Sequence, residues 1–226
     1  FAHPRSNSLP GAVLAELADT IRGLGDRSDV RVVVLGSAGD RAFCAGASFD
    51  ELVSISDEAE GLRFFMGFAN VINAMRSIPQ LVIGRVQGKA VGGGVGVASA
   101  VDYCLATKHA AVKLSELAVG IGPFVVGPAV ERKLGVSAMS QLAIDATEWR
   151  SAEWAAARGL YASVHDDATA LDVAVEALAG RLAASNPEAM AEMKATFWRG
   201  TEDWDDLLAE RAAISGRLVL SDFTRQ

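Results

Sequence analysis

The chain has 226 residues, 50% of them hydrophobic, and a formal net charge of −7. This size and composition fit one globular domain, and the acidic balance argues against a surface that tracks nucleic-acid phosphates. The most apolar stretch, residues 91–101, is too short and too rich in glycine to cross a bilayer, so no membrane partner is expected. Cys44 and Cys104 do not make a disulfide framework, which favours a reducing, cytoplasmic setting.

The first half of the chain alternates helix and strand patterns. Asn7-Ser-Leu-Pro10 predicts a turn before a first helix over residues 11–24, because proline suits a first helical turn. The patterns that follow predict, in order, a strand over 29–36, a small-residue loop over 41–50, a helix over 59–77 and strands over 81–86, 102–107 and 112–115.

After Pro123 the apolar spacing is helical only. Strands that alternate with helices, followed by helices alone, predict an α/β core with a helical tail. The predicted helices of this half cover residues 130–134, 138–147, 152–158 and 168–185, a helix that starts at Asn186-Pro187, and residues 202–218.

The segment Gln87–Asp102 carries three consecutive glycines, Gly92 to Gly94, between a strand and a helix. Glycine lets a ligand approach the unpaired amides of a helix N-terminus, which suits a phosphate or an oxyanion. A P-loop is excluded because Ala90 follows Gly88-Lys89, and the match to a dinucleotide fingerprint is incomplete. Tight helix–strand packing remains an alternative explanation of the glycines.

Three motifs in order give the segment a more specific meaning. They are Phe43-Cys-Ala-Gly-Ala47, Gly88-Lys-Ala-Val-Gly-Gly-Gly94 and Leu114-Ser-Glu-Leu-Ala-Val-Gly120. Together they resemble the crotonase superfamily of enoyl-CoA hydratases and isomerases, and the likeness covers nearly the whole chain. The resemblance implies an α/β, crotonase-like ββα superhelical core over residues 1–165. It also implies a C-terminal helical oligomerisation region over residues 166–226, and hence a homotrimer or homohexamer.

The resemblance also implies a site for an acyl thioester, on coenzyme A or on a carrier protein. The backbone N–H groups of Ala47 and Gly93 would hold the thioester oxygen as enolate charge develops on it. A side chain at position 93 would obstruct the thioester, and Ala47 is small for a similar reason. Ala45, Gly46, Gly92 and Phe124 would contact the substrate. No metal or redox cofactor is implied, since coenzyme A is part of the substrate.

Glu116 takes the place of the second of two glutamates that the family's hydratases use, and Gly96 stands where the first is expected. One carboxylate suffices to move a proton between two carbons, as in 3,2-enoyl isomerases. Hydration needs a base for the water and an acid for the carbon, and two carboxylates can divide these roles easily. A related subgroup with glycine at the first position dehydrates a branched 3-hydroxy-3-methylglutaryl thioester. Isomerisation, reversible hydration, dehydration of such a thioester and non-catalytic thioester binding all remain open.

Overall fold

A computed structural model describes residues 1–225. These residues form seven strands, eleven α-helices and one 3₁₀ helix, and none of the helices is both long and apolar enough for a membrane span. The strands are β1 (Val32–Gly36), β2 (Ala42–Cys44), β3 (Leu81–Val86), β4 (Lys89–Val91), β5 (Tyr103–Thr107), β6 (Val112–Lys113) and β7 (Ser163–His165). The α-helices are α1 (Gly11–Gly25), α2 (Phe49–Ser54), α3 (Glu58–Ser77), α4 (Gly93–Ala100), α5 (Gly127–Leu134), α6 (Val136–Ile144), α7 (Ala152–Ala157), α8 (Ala168–Ala183), α9 (Pro187–Phe197), α10 (Trp204–Leu218) and α11 (Asp222–Arg225).

Two parallel sheets form the centre of the fold. The larger has four strands in the order β1-β3-β5-β7, and the smaller has three in the order β2-β4-β6. Strands β1, β3 and β5 are each followed along the chain by a strand of the smaller sheet, and α3 or α4 then leads back to the larger one. The predicted α/β core of repeated strand–strand–helix turns is therefore confirmed.

Local signals set the limits of the longest helix. The Asp57 side chain caps α3 by accepting a hydrogen bond from the Glu60 amide. The helix ends at Ser77, because Pro79 disfavours helical backbone in the residue before it. Its inner face is buried and carries Phe68, Ala69, Val71, Ile72 and Met75. The prediction of a helix over residues 59–77 is thus confirmed to within one residue.

Several short elements differ from the sequence-based prediction. Strand β2 lies inside the segment predicted as a loop, and helix α2 begins at the end of that segment. Strand β4 lies inside the glycine-rich segment, and β7 lies inside the region predicted to be helical only. Strand β7 extends the larger sheet by pairing Val164 with Ala106 of β5. These elements contain three to six residues, which is too few to display a hydrophobic period.

The helices after β7 pack on the sheets of the same chain. Leu171 and Val175 of α8 form a buried cluster with Ile83 of β3 and Leu105 of β5. Helix α9 is anchored by Lys194, which is only 2% exposed. Its Nζ donates hydrogen bonds of 2.7 Å to the carbonyl oxygens of Met75 and Gln80 and lies 3.1 Å from Asp102 Oδ2. The predicted C-terminal helices are present, whereas the division at residue 165 and the oligomerisation role stay predictions.

Helix α10 lies directly against α3 through two glycines. A Cβ atom on Gly61 would lie 2.7 Å from the Cα atom of Gly216, so the two helix backbones are in contact. Neither position can accept a side chain without separating the helices. This close crossing brings Ser215 of α10 to the wall of the cavity that is described next.

Candidate active site

Three loops leave the same edge of the smaller sheet. Strands β2, β4 and β6 are parallel neighbours, so the residues that follow their carboxyl ends meet at one edge. A cavity of about 280 Å³ opens there. All seven residues predicted for the site line it, namely Ala45, Gly46, Ala47, Gly92, Gly93, Glu116 and Phe124.

The N-terminal segment holds the first loop in place. Asn7 is buried with a φ of +56°, and its Nδ2 donates hydrogen bonds to the carbonyl oxygens of Ala38 and Ala42. The Ala45 amide donates to the Asn7 carbonyl at 3.2 Å, and the Ser48 amide donates to the Leu9 carbonyl at 2.9 Å. Asn7 is predicted as a turn residue only, and no local sequence signal indicates this second task.

The first loop leaves the Ala47 amide free. The amides of Ala45 and Ser48 are used by the N-terminal segment, but the Ala47 N–H has no hydrogen-bond partner among the described residues. Gly46 carries a φ of +90°, a conformation that favours glycine. The turn at Gly46 therefore separates the Ala45 amide, which is hydrogen-bonded, from the Ala47 amide, which is available to a ligand.

The second loop supplies another free amide. The Gly92 N–H donates to the Lys113 carbonyl at 2.9 Å, and the Gly92 carbonyl accepts from Val95 and Gly96. Gly93 begins α4, and its N–H has no partner within residues 1–225. A Cβ atom on Gly46 would lie 3.9 Å from Gly93 N, which places the two loops side by side.

The glycines of the second loop also have a packing role. A Cβ atom on Gly93 would lie 2.3 Å from Cζ of Phe68, and one on Gly94 would lie 2.5 Å from the Cys44 carbonyl oxygen. The structure thus exhibits a packing constraint at Gly93, and the obstruction of a thioester by a side chain there stays a prediction. A side chain at position 93 would collide with the phenyl ring of Phe68 on α3. Close packing therefore restricts both positions, Gly94 against strand β2 and Gly93 against helix α3.

Glu116 is the first residue of the 3₁₀ helix Glu116–Val119. A Cβ atom on Gly92 would lie 3.0 Å from its Oε1, so the carboxyl group rests against the second loop. Its Oε2 is shielded from solvent and has no hydrogen-bond partner among the described residues. Burial raises the pKa of Glu116 to about 7, opposed in part by its own backbone amide. A carboxyl group with such a pKa can both accept and donate a proton near neutral pH.

Val126 occupies the space beside Gly96. A Cβ atom on Gly96 would lie 2.4 Å from Val126 Cγ1 and 2.7 Å from Val126 Cβ. Val126 is only 4% exposed and lines the cavity just before α5. The place where a carboxylate from position 96 would enter is therefore filled by an aliphatic side chain. The sequence places a glycine at this position, but it does not indicate which residue fills the gap.

Aromatic side chains form much of the remaining wall. Phe64, Phe65 and Phe68 project from α3, Phe49 comes from α2, and Phe124 follows the 3₁₀ helix. Sequence reasoning identifies α3 as a long helix and misses its contribution to the site. The phenylalanines at positions 64, 65 and 68 recur along one face of a helix, and this spacing is the signal that was available.

Proteins of known family resemble this chain in sequence and in fold. The family model described as enoyl-CoA hydratase/isomerase matches residues 1–219. An enoyl-CoA hydratase from Mycobacterium avium subsp. paratuberculosis has a similar structure, with a TM-score of 0.86, 26% identity and coverage of 99% of this chain and 90% of that one. The short-chain-enoyl-CoA hydratase of Clostridium acetobutylicum is 29% identical over 93% of this chain and 80% of its own length.

Other relatives align over a shorter region. The ethylmalonyl-CoA decarboxylase of Xenopus laevis is 27% identical over 53% of this chain and 40% of its own length. The aligned region spans less than half the length of this relative and of several others. The match of the family model nevertheless covers nearly all of the sequence. The chain therefore belongs to the enoyl-CoA hydratase/isomerase family, which is the crotonase superfamily.

Proposed function

We propose that this protein isomerises enoyl thioesters by moving a double bond from carbon 3 to carbon 2 of the acyl chain. The proposal rests on one observation: the residues with the two free amides, Ala47 and Gly93, line the same cavity as Glu116, whose carboxyl Oε2 is shielded from solvent. The substrate is an acyl-CoA, or the same acyl group on a carrier protein. The reaction needs no metal or redox group, because only a proton and a pair of π electrons change place.

The two free amides are proposed to hold the thioester oxygen. The Ala47 and Gly93 N–H groups come from different loops, and the second lies at the N-terminus of α4, where the helix dipole adds positive potential. Negative charge grows on the oxygen as the enolate forms, so fixed donors stabilise the transition state more than the bound substrate. Loss of one such donor typically costs about 3 kcal/mol of transition-state stabilisation.

Glu116 is proposed to carry the proton. Its carboxylate removes a proton from carbon 2, and the electrons of the broken C–H bond extend the enolate over carbons 2 to 4. The carboxylic acid then returns the proton to carbon 4, which leaves the double bond between carbons 2 and 3. A pKa of about 7 suits both steps, because the group is easily deprotonated and easily reprotonated at neutral pH.

The filled space at Val126 favours isomerisation over hydration. Addition of water divides naturally between one carboxylate that activates the water and a second group that protonates carbon. Among residues 1–224, only Glu116 supplies an ionisable group to the cavity wall. Val126 also removes the room in which a second carboxylate at position 96 would sit.

Turnover by the purified protein tests the proposal. We expect conversion of a 3-enoyl-CoA to be faster than hydration of the 2-enoyl-CoA of equal length. Glu116→Gln should lower the isomerase rate by about 10²–10⁴-fold. Glu131→Gln changes an exposed glutamate of α5 and should leave the rate unchanged.

Two results would contradict the proposal. Faster hydration than isomerisation would indicate a hydratase that manages with one carboxylate. Thioester binding without turnover, unchanged in Glu116→Gln, would indicate a non-catalytic binding protein. Both assays use the same enzyme preparation, so an inactive sample is recognised by its failure to bind either thioester.

A further inference from the structure

The walls of the cavity carry almost no polar side chains. Besides Glu116, the polar lining residues are Ser8, Ser115 and Ser215. The remaining wall is made of backbone at the glycines and of apolar side chains. No lysine, arginine or histidine among residues 1–224 lines the cavity.

Three of the cations near the lining segments along the chain are engaged elsewhere. Lys89 and Lys113 each hold their Nζ 4.7 Å from the centre of the Trp149 ring. Arg5 forms an ion pair with Asp50. These three side chains are therefore not available to an anionic group within the cavity.

A second carboxylate in this cavity would be strongly disfavoured. It would lose its hydration without gaining a cation, which costs several kcal/mol for a buried charge. It would also share the cavity with Glu116, whose Oε2 already lacks a hydrogen-bond partner among the described residues. Two carboxylates in one apolar site cannot both ionise readily.

We infer that the site selects an uncharged, apolar acyl group and rejects acyl groups that end in a carboxylate. The inference rests on the proposed function of the same cavity, and it excludes the branched dicarboxylic thioester that the sequence alone left open. The volume is sufficient, since a dry cavity of about 150 Å³ already holds benzene and this one measures about 280 Å³. Phe64, Phe65 and Phe68 are specificity-determining residues that supply the apolar contact.

Binding of two saturated thioesters of matched shape tests the inference. Glutaryl-CoA ends in a carboxylate, and 5-methylhexanoyl-CoA has an isopropyl group in its place. We expect the neutral thioester to bind about 100-fold more tightly to the wild-type protein at pH 8 in titration calorimetry. Free coenzyme A serves as the reference for contacts that both ligands share.

A cation placed in the wall should shift this preference. Leu52 lines the cavity from α2 and is half-buried, so Leu52→Lys can reach a ligand carboxylate. We expect Leu52→Lys to raise the affinity for glutaryl-CoA, relative to that for 5-methylhexanoyl-CoA, at least tenfold. Leu52→Met should keep the wild-type ratio of the two affinities. A wild-type preference below tenfold, or a folded Leu52→Lys protein with the wild-type ratio, overturns the inference.

The test is independent of catalysis. Neither saturated thioester carries a double bond to move, so the affinities do not depend on turnover. If the preference holds and isomerisation is absent, only the proposed function fails. If isomerisation is found without the preference, only the substrate class fails.

Discussion

Replacing Gly96 with alanine should destabilise the protein, although alanine is the better helix former. The new methyl group would lie 2.4 Å from Val126 Cγ1 in a closed interior. Overpacking of this kind costs about 1–3 kcal/mol, and the change from glycine to alanine in a helix returns about 1 kcal/mol. We therefore expect Gly96→Ala to lower the free energy of unfolding by up to about 2 kcal/mol.

The partner substitution should reverse this loss. Val126→Ala alone removes two buried methyl groups and should cost about 2 kcal/mol once the cavity is included. In the double variant the methyl group at position 96 enters the vacated space. The double variant should then lose roughly 2 kcal/mol less than the sum of the single losses, which is a coupling typical of residues in contact.

Urea unfolding followed by circular dichroism measures these energies at one fixed protein concentration. Gly180→Ala is the matched control, because a Cβ atom on Gly180 in α8 has nothing within 4 Å. It should stabilise the protein by about 0.5–1 kcal/mol and should be additive with Val126→Ala. If Gly96→Ala behaves like Gly180→Ala, or if its combination with Val126→Ala is additive within about 0.5 kcal/mol, Val126 does not fill the space beside Gly96.

Three further predictions concern the acid/base residue, the anchor of α9 and the first loop. The isomerase kcat/KM should rise with pH and level off above about pH 7, because the ionised form of Glu116 starts the reaction; a flat profile from pH 5 to 9 would contradict this. Because the pKa of Glu116 is raised in the folded state, the folded protein binds this proton more tightly than the unfolded chain does. Protonated Glu116 therefore contributes to stability below its ordinary pKa of 4.5, and this contribution is lost as the pH rises to about 7. Glu116→Gln should therefore unfold at higher urea than the wild type at pH 8 and lack this advantage at pH 4. Lys194→Ala should cost about 3–5 kcal/mol in urea unfolding because it leaves Asp102 buried without its cation, and a loss below 1 kcal/mol would refute this role. Asn7→Ala should lower kcat more than it raises KM, because the segment whose carbonyl groups hold the first loop loses its two side-chain hydrogen bonds to Ala38 and Ala42; unchanged kinetics would show that the loop holds its shape without them.

The long elements of the fold were predictable because their signals are local. Helix α3 has a capping aspartate, an apolar face and a proline just beyond its end, and all three features lie within its own segment. Strand β7 has three residues, and it is a strand only because β5 offers it an edge at Thr107 and the residues before it. Such pairing over more than fifty residues leaves no trace in the pattern of the strand itself.

The same contrast holds for the candidate site. The motif residues were predicted to meet, and all of them line one cavity, whereas their catalytic and binding roles remain predictions. Val126 and Asn7 were missed because their importance lies in what they touch. Val126 is thirty residues from the glycine whose missing side chain it replaces, and Asn7 supports a loop at Ala45. Contacts of this range come from the topology of the chain and have no motif of their own.

The crossing of Gly61 and Gly216 gives protein engineers access to the acyl cavity from outside it. Ser215 forms part of the cavity wall and is the immediate neighbour of Gly216, so any outward movement of α10 retracts that wall. Gly61→Ala would push the two helix backbones apart and leave every residue that would touch the substrate unchanged. Variant libraries that aim at longer acyl chains can therefore change the residues at positions 61 and 216 and keep the reacting groups intact.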